Sequence, residues 1–296
     1  MATREAPTVF LALAGAVARS PFTKARPEAP LPTDRITSGP RRIEPGHLAA
    51  YARICGFRHD EGTLPLTYPH VLGFSAALRL MARRDFPLPL LGLVHTWITV
   101  TRHAPLTAHD RPEITVYARE LSPHRRGTEV TMVTEARLAG HLVWESASGY
   151  LARHTRPAGA PTPGPVEPPP PETAEMTETS EWRLPADLGR RYGAVSGDRN
   201  PIHLHPLTAR AFGFPRTVAH GMWTFARCLA ERDPAGELPY ARADFRSPVL
   251  LPGVVSHTAD DTGRFQLRSG DRVHLTGVTR ENGESGEYGE TSVRSS

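Results

Sequence analysis

The sequence predicts an α+β fold built twice, each copy a buried helix wrapped by a curved antiparallel sheet. Three observations lead there. The two halves carry similar landmarks in the same order, as an internal duplication would leave them. Each half reads as a short helix, a loop, a longer helix and then several strands rich in β-branched residues. Between the halves, residues 155–177 are so dense in proline that they read as a semi-rigid linker.

Taken in order, Y-A-R-I-C-G-F (51–57) closes the first short helix and matches Y-G-A-V-S-G-D (192–198) in the second half. The longer helices follow, with Ala76, Ala77, Leu80 and Met81 recurring at helical spacing in one and Met222, Phe225, Ala226 and Leu229 in the other. Residues 68–81 thus parallel 217–230, and T-R-H-A-P-L (101–106) parallels F-R-S-P-V-L (245–250). Strands are expected at 95–100, 113–119, 128–138 and 141–151, then at 240–245, 254–258, 264–268 and 272–278. The duplication is unequal. Phe57 stands where the second half has Asp198, and His203 falls opposite about Gly62, so any proton chemistry belongs to the second half.

Composition narrows the classes. With 296 residues, 39% hydrophobic and 22% charged, the chain can bury two cores and is globular rather than disordered. The basic residues are scattered arginines apart from Lys24, which gives no nucleic-acid patch, no P-loop lysine and no Schiff-base lysine. No G-x-G-x-x-G follows a strand, so nicotinamide binding has no support. The apolar run 8–18 imitates a short signal peptide, but Glu5 leaves its leading segment barely positive. No run reaches membrane-spanning length, and Cys55 and Cys228 make no disulfide framework; a cytoplasmic protein is expected.

The stretch with chemical content is Y-G-A-V-S-G-D-R-N-P-I-H (192–203). Gly197 loosens the backbone before an acid, and Asn-Pro turns the chain so that Asp198 and His203 can face one point and share one water. A bland alternative is an aspartate that only caps a turn beside a structural histidine. His203-Leu204-His205 with Asp198 could also ligate a metal if the segment were a strand, although a fourth ligand is missing. Val195-Ser196-Gly197 lacks a nucleophile elbow, which leaves Ser196 as a helix-end residue. Further on, Ala219-His220-Gly221-Met222 opens the long second helix. The unpaired N–H groups there, with a glycine to admit a ligand, could hold a carbonyl oxygen that gains charge.

These motifs, with F-G-F-P-R-T-V-A-H-G-M (212–222), resemble the MaoC-like, or type 2, enoyl-thioester hydratase family. P-L-T-Y-P-H (65–70) and G-L-V-H-T-W (92–97) make the first half similar to actinobacterial single-chain 3-hydroxyacyl-thioester dehydratases. The resemblance covers about 35–280 and implies a double hotdog. It divides the chain into an N-terminal extension (1–34), a degenerate non-catalytic repeat (35–154), the linker (155–177), a catalytic repeat (178–280) and a tail (281–296). It implies Asp198 and His203 as the catalytic pair, Asn200 as a residue that helps hold the site, and the Gly221 N–H as donor to the thioester oxygen. Trp223 departs from the small or aliphatic residue common in the family, which bears on acyl-chain preference. The implied reaction is reversible hydration of trans-2-enoyl thioesters to (3R)-3-hydroxyacyl thioesters, carried by CoA or acyl carrier protein. No metal or other cofactor is implied, no nucleic acid or membrane span is expected, and a homodimer is open as the assembly. A non-catalytic acyl-thioester binding protein and a hotdog thioesterase are the rival readings.

Overall fold

The computed structural model describes residues 24–58, 62–155, 176–233 and 237–281. The apolar run 8–18, nearly all of the linker and the polar tail lie outside these. The first repeat comprises β1 (Ile36–Ser38), α1 (Pro45–Cys55), α2 (Tyr68–Met81), β2 (Val94–Arg102), β3 (Glu113–His124), β4 (Gly127–Leu138) and β5 (His141–Arg153). The second comprises β6 (Thr177–Leu184), α3 (Leu188–Ser196), α4 (Pro201–Leu204), α5 (Pro206–Ala211) and α6 (Gly221–Arg232). It ends with β7 (Tyr240–Phe245), β8 (Gly253–Ala259), β9 (Arg264–Ser269) and β10 (Arg272–Arg280).

All ten strands join one antiparallel sheet in the order β1-β3-β4-β5-β2-β7-β10-β9-β8-β6. Read inward from its two ends, the order pairs each strand with its counterpart in the other repeat. β2 and β7 meet at the seam with Thr99 opposite Arg242. The backbone beyond the seam repeats as well. The N–H groups of His103 and Ala104 both donate to the Val143 carbonyl, as those of Arg246 and Ser247 do to His274. This corrects the sequence match by one residue, because 101–106 corresponds to 244–249 and sets Pro105 against Pro248. The fold is a double hotdog, with the expected helices and strands in place.

The buried helical stripes pack as expected. Ala76, Ala77, Leu80 and Met81 are buried on α2, and Phe225, Ala226 and Leu229 on α6, with Met222 only partly covered. Each large apolar side chain contributes about 1.5–3 kcal/mol on burial. α2 presses so closely on the sheet that a Cβ at Gly73 would lie 2.6 Å from the Thr134 methyl.

Four elements went unread in the sequence: β1, β6, α4 and α5. β6 lies at a sheet edge and is largely exposed, so its polar T-E-T-S-E shows no alternation. It starts at Thr177, inside the last position of the expected linker. The described part of the N-terminal extension is docked, with the Arg26 guanidinium donating to the carbonyls of Arg84 and Phe86. Among the described residues no helix is long and apolar enough to cross a membrane.

Candidate active site

The site is built on α3. Gly189 and Gly193 lie four residues apart and so on one helix face. A Cβ at Gly193 would come 2.6 Å from the Asp198 carbonyl oxygen, and one at Gly189 would collide with that of His203. Both ends of the 198–203 loop can therefore press on the helix backbone, and any larger residue would lift them away. Gly197 ends the helix in the left-handed conformation (φ 79°), its N–H donating to the Gly193 carbonyl. The chain then turns sharply into Asp198.

Local hydrogen bonds fix the loop. The Asp198 N–H donates to Ser196 Oγ at 3.2 Å, and the Asn200 N–H to Asp198 Oδ1 at 3.1 Å. Asn200 Oδ1 accepts from the Ile202 N–H at 3.4 Å and caps α4, the turn of helix that carries His203. Ser196 is thus a helix-end residue, as its sequence context suggested. His203 is buried, with Nδ1 2.7 Å from the Val218 carbonyl oxygen. A carbonyl only accepts, so Nδ1 carries the proton and Nε2 is left with a lone pair.

His220 is the residue that the sequence analysis passed over. Its ring stacks on His203 with centroids 3.7 Å apart, and its Nε2 lies 3.0 Å from the Asp198 carbonyl oxygen. Its signal is A-H-G-M, in which the helix start hides the imidazole. Nε2 is also 3.8 Å from Asp198 Oδ2, a geometry that would suit an ion pair. Burial argues against one near neutral pH. It pushes the His220 pKa down to about 3; neighbouring His203 lowers it further and Asp198 only partly opposes this. The imidazole is neutral and acts through hydrogen bonding and stacking.

The structure thus gathers Asp198, His203 and His220, with ligating atoms all within 4.8 Å of one another. His205 is not among them. Residues 201–204 form a helix rather than a strand, so strand alternation fails, and His205 is exposed and accepts from the Leu207 N–H to cap α5. The three gathered side chains are a donor set that a divalent cation could use as well as a proton-transfer pair. One nitrogen of each imidazole is already engaged by a backbone carbonyl.

Gly221 is the first residue of α6, so its N–H has no acceptor within the helix. A Cβ there would lie 3.0 Å from the Phe245 ring, which covers this helix start. Trp223 points elsewhere: its Nε1 donates to the Ile54 carbonyl at 2.9 Å and ties α6 to the end of α1. The ring beside the 198–203 loop is Phe74 of α2, whose Cδ1 would lie 3.9 Å from a Cβ at Gly197.

Residues 165–282 match the model of the MaoC-like domain. Over 261 residues the chain is 35% identical to 3-hydroxyacyl-thioester dehydratase X of Mycobacterium tuberculosis, a match covering 84% of this chain and 90% of that protein. The crystal structure of HtdX from M. tuberculosis superposes with a TM-score of 0.70 at 31% identity, over 84% of this chain and 100% of that one. A further M. tuberculosis protein described as a double hotdog superposes with a TM-score of 0.52 at 13% identity, over 83% of this chain and 94% of that one. At that identity the likeness is one of fold.

Proposed function

The chain belongs to the MaoC-like dehydratase family, and from that premise we propose that it interconverts trans-2-enoyl and (3R)-3-hydroxyacyl thioesters. The observation that carries this is His203, anchored through Nδ1 on Val218 with Nε2 free beside Asp198. Residues 178–280 hold this chemistry, and among the described residues of 35–154 no counterpart of the Asp198–His203 pair occurs, Phe57 standing where Asp198 would.

In the hydration direction a water lies between the Asp198 carboxylate and His203 Nε2. Its oxygen bonds to C3 while one of its protons passes to the pair, and the electrons of the C2–C3 double bond move onto the thioester oxygen. The Gly221 N–H holds that oxygen, aided by the positive end of the α6 dipole; such a donor is worth about 3–4 kcal/mol. The pair then returns the proton to C2 as the carbonyl re-forms, so one water is added in total. Dehydration runs the same steps backwards. Each positioned acid–base group contributes about 10²–10⁴-fold. Asn200 supports the pair by capping the helix that carries His203.

CoA and acyl carrier protein thioesters are both proposed carriers. Cys55 and Cys228 are free and buried, which supports the cytoplasmic setting we propose. The test is loss of the conjugated-thioester absorbance of crotonyl-CoA and longer enoyl-CoAs, with chiral analysis of the product. Turnover is expected with chelator present. The donor set Asp198, His203 and His220 favours one second reading, a metal-dependent hydratase, for which activity would disappear with chelator and return with zinc. Free thiol release without hydration would instead identify a thioesterase.

A further inference from the structure

We infer that His95, on the first repeat, is a substrate-positioning residue: its Nε2 accepts a hydrogen bond from the thioester held between Gly221 and Asp198. The inference rests on the proposed function above and assigns a task to the repeat that lacks the acid–base pair.

His95 lies on β2, the seam strand. Its ring stacks on Tyr150, with centroids 4.6 Å apart and planes 12° from parallel, and leans against Phe245 at 4.8 Å. Phe245 is the ring that covers Gly221. Tyr150 lies within the field of Asp198: burial raises its pKa and the aspartate charge raises it further. Tyr150, His95 and Phe245, two rings of the first repeat and one of the second, therefore form a row that ends over Gly221, with the Asp198 charge felt at its other end.

That wall holds an unused polar atom. His95 Nε2 is buried and has no hydrogen-bond partner among the described residues. A hydrogen bond to the Trp97 backbone engages the ring, and burial drives its pKa down to about 3, so the imidazole is neutral and its free nitrogen can accept. His70 repeats the arrangement one layer deeper. It is 6% exposed and parallel to His95 at 6.4 Å, with Nδ1 3.1 Å from Ser146 Oγ and Nε2 unpartnered. A buried polar atom left unpaired costs about 1–3 kcal/mol, and an apolar ring would fill either place without that cost. The His95 atom, on the wall of the site, points to a ligand that supplies a donor; His70 Nε2 is a second buried nitrogen without a partner among the described residues, its role set by the Ser146 hydroxyl.

A thioester substrate offers two kinds of donor: the 3-hydroxyl of the hydroxyacyl form, and the amide N–H groups of the phosphopantetheine arm that both carriers share. His95→Phe keeps a ring to stack on Tyr150 and removes the acceptor, whereas His95→Gln keeps an acceptor. Both variants are assayed beside the wild-type chain in crotonyl-CoA hydration and 3-hydroxybutyryl-CoA dehydration, with a melting curve for each. The Phe variant is expected to lose about 5- to 100-fold in kcat/KM, mainly through KM, at an unchanged or raised Tm, with Gln recovering most of it. The equilibrium constant makes the kcat/KM loss equal in both directions; a raised KM in dehydration with a lowered kcat in hydration assigns the 3-hydroxyl, and a raised KM in both assigns the amide. His95→Met serves as the apolar variant should Phe fail to fold. Wild-type kinetics in the apolar variant would overturn the inference alone, as would equal damage to kinetics and Tm in Gln and Phe. A wild-type chain that turns over neither thioester would overturn the proposed function with it.

Discussion

α1 and α3 end alike and then part. Each buries a fully covered tyrosine, Tyr51 and Tyr192, whose rings lie 6.4 Å apart across the repeats. Each closes on a left-handed glycine, Gly56 at φ 87° and Gly197 at φ 79°, whose N–H returns to the helix. The next residue divides them. Phe57 is 7% exposed and stacks on Tyr51, while the Asp198 side chain keeps 28% of its surface and faces two imidazoles. The difference teaches that the hotdog frame needs the tyrosine and the glycine cap but not the acid. One position after the cap is free to serve either the core or the chemistry.

The largest test of this contrast removes the chemistry. Asp198→Asn and His203→Ala are each expected to lower turnover at least about 10²-fold with the fold intact. The double variant should lose little more than the worse single one, because both groups handle one water. Near wild-type turnover in either single variant would remove that residue from the mechanism.

The converse change asks whether the contrast can be reversed. Phe57→Asp would place a carboxylate in a stacked, buried position with no imidazole pair beside it among the described residues. The unpaired charge is expected to destabilise the chain by several kcal/mol, or to stay protonated there. Combined with Asp198→Asn it should not restore hydration. Substantial activity in that double variant would mean that the first repeat holds a latent site.

How much of this was legible in the sequence follows the range of the interactions. The helical stripes, the strands and the Gly-Asp/Asn-Pro loop showed because they are periodic or local. Phe57 opposite Asp198 showed because the two caps share one motif. His220 did not stand out, since its partner His203 lies across a loop and only the fold stacks the rings. His95 and Tyr150 were still less visible, coming from the repeat without the acid and meeting the site only through the β2–β7 seam. α4 was missed because Asn-Pro reads as a turn, although Asn200 and Pro201 there open a helical turn. Nothing periodic marks a four-residue helix.

A subtler difference concerns the central helices. Ala76 and Ala77 are both 7% exposed and sit in the core, whereas Phe74, one turn earlier, is only partly buried and faces Gly197. Ala76→Phe is therefore expected to overpack the core, costing about 1–3 kcal/mol and affecting all acyl lengths alike. Phe74→Ala should change the ratio of four-carbon to twelve-carbon turnover. Melting curves and kinetics at both lengths separate the two; a block confined to long chains in Ala76→Phe would move the acyl path onto the alanine face.

The smallest expected effect tests whether the repeats differ in acid sensitivity as they do in chemistry. Each carries neutral imidazoles: buried His70 and partly buried His95 in the first, with pKa pushed down to about 4 and about 3, and buried His220 and His257 in the second, to about 3 and about 4. Burial is the main cause in all four. In the unfolded chain such groups titrate near 6.5. Between roughly pH 6.5 and 4 the unfolded state therefore binds protons that the folded state refuses. Stability is full above that window and falls as pH drops through it, each group removing at most about 1.4 kcal/mol per pH unit. Because the shifts are alike in the two repeats, His70→Gln and His220→Gln should flatten the pH dependence of unfolding free energy equally, by one proton each. Urea unfolding at pH 7, 6 and 5 measures the slopes. A variant with the wild-type slope would mean that its imidazole already titrates normally in the folded chain, and that the repeat concerned is open to water where the structure closes it.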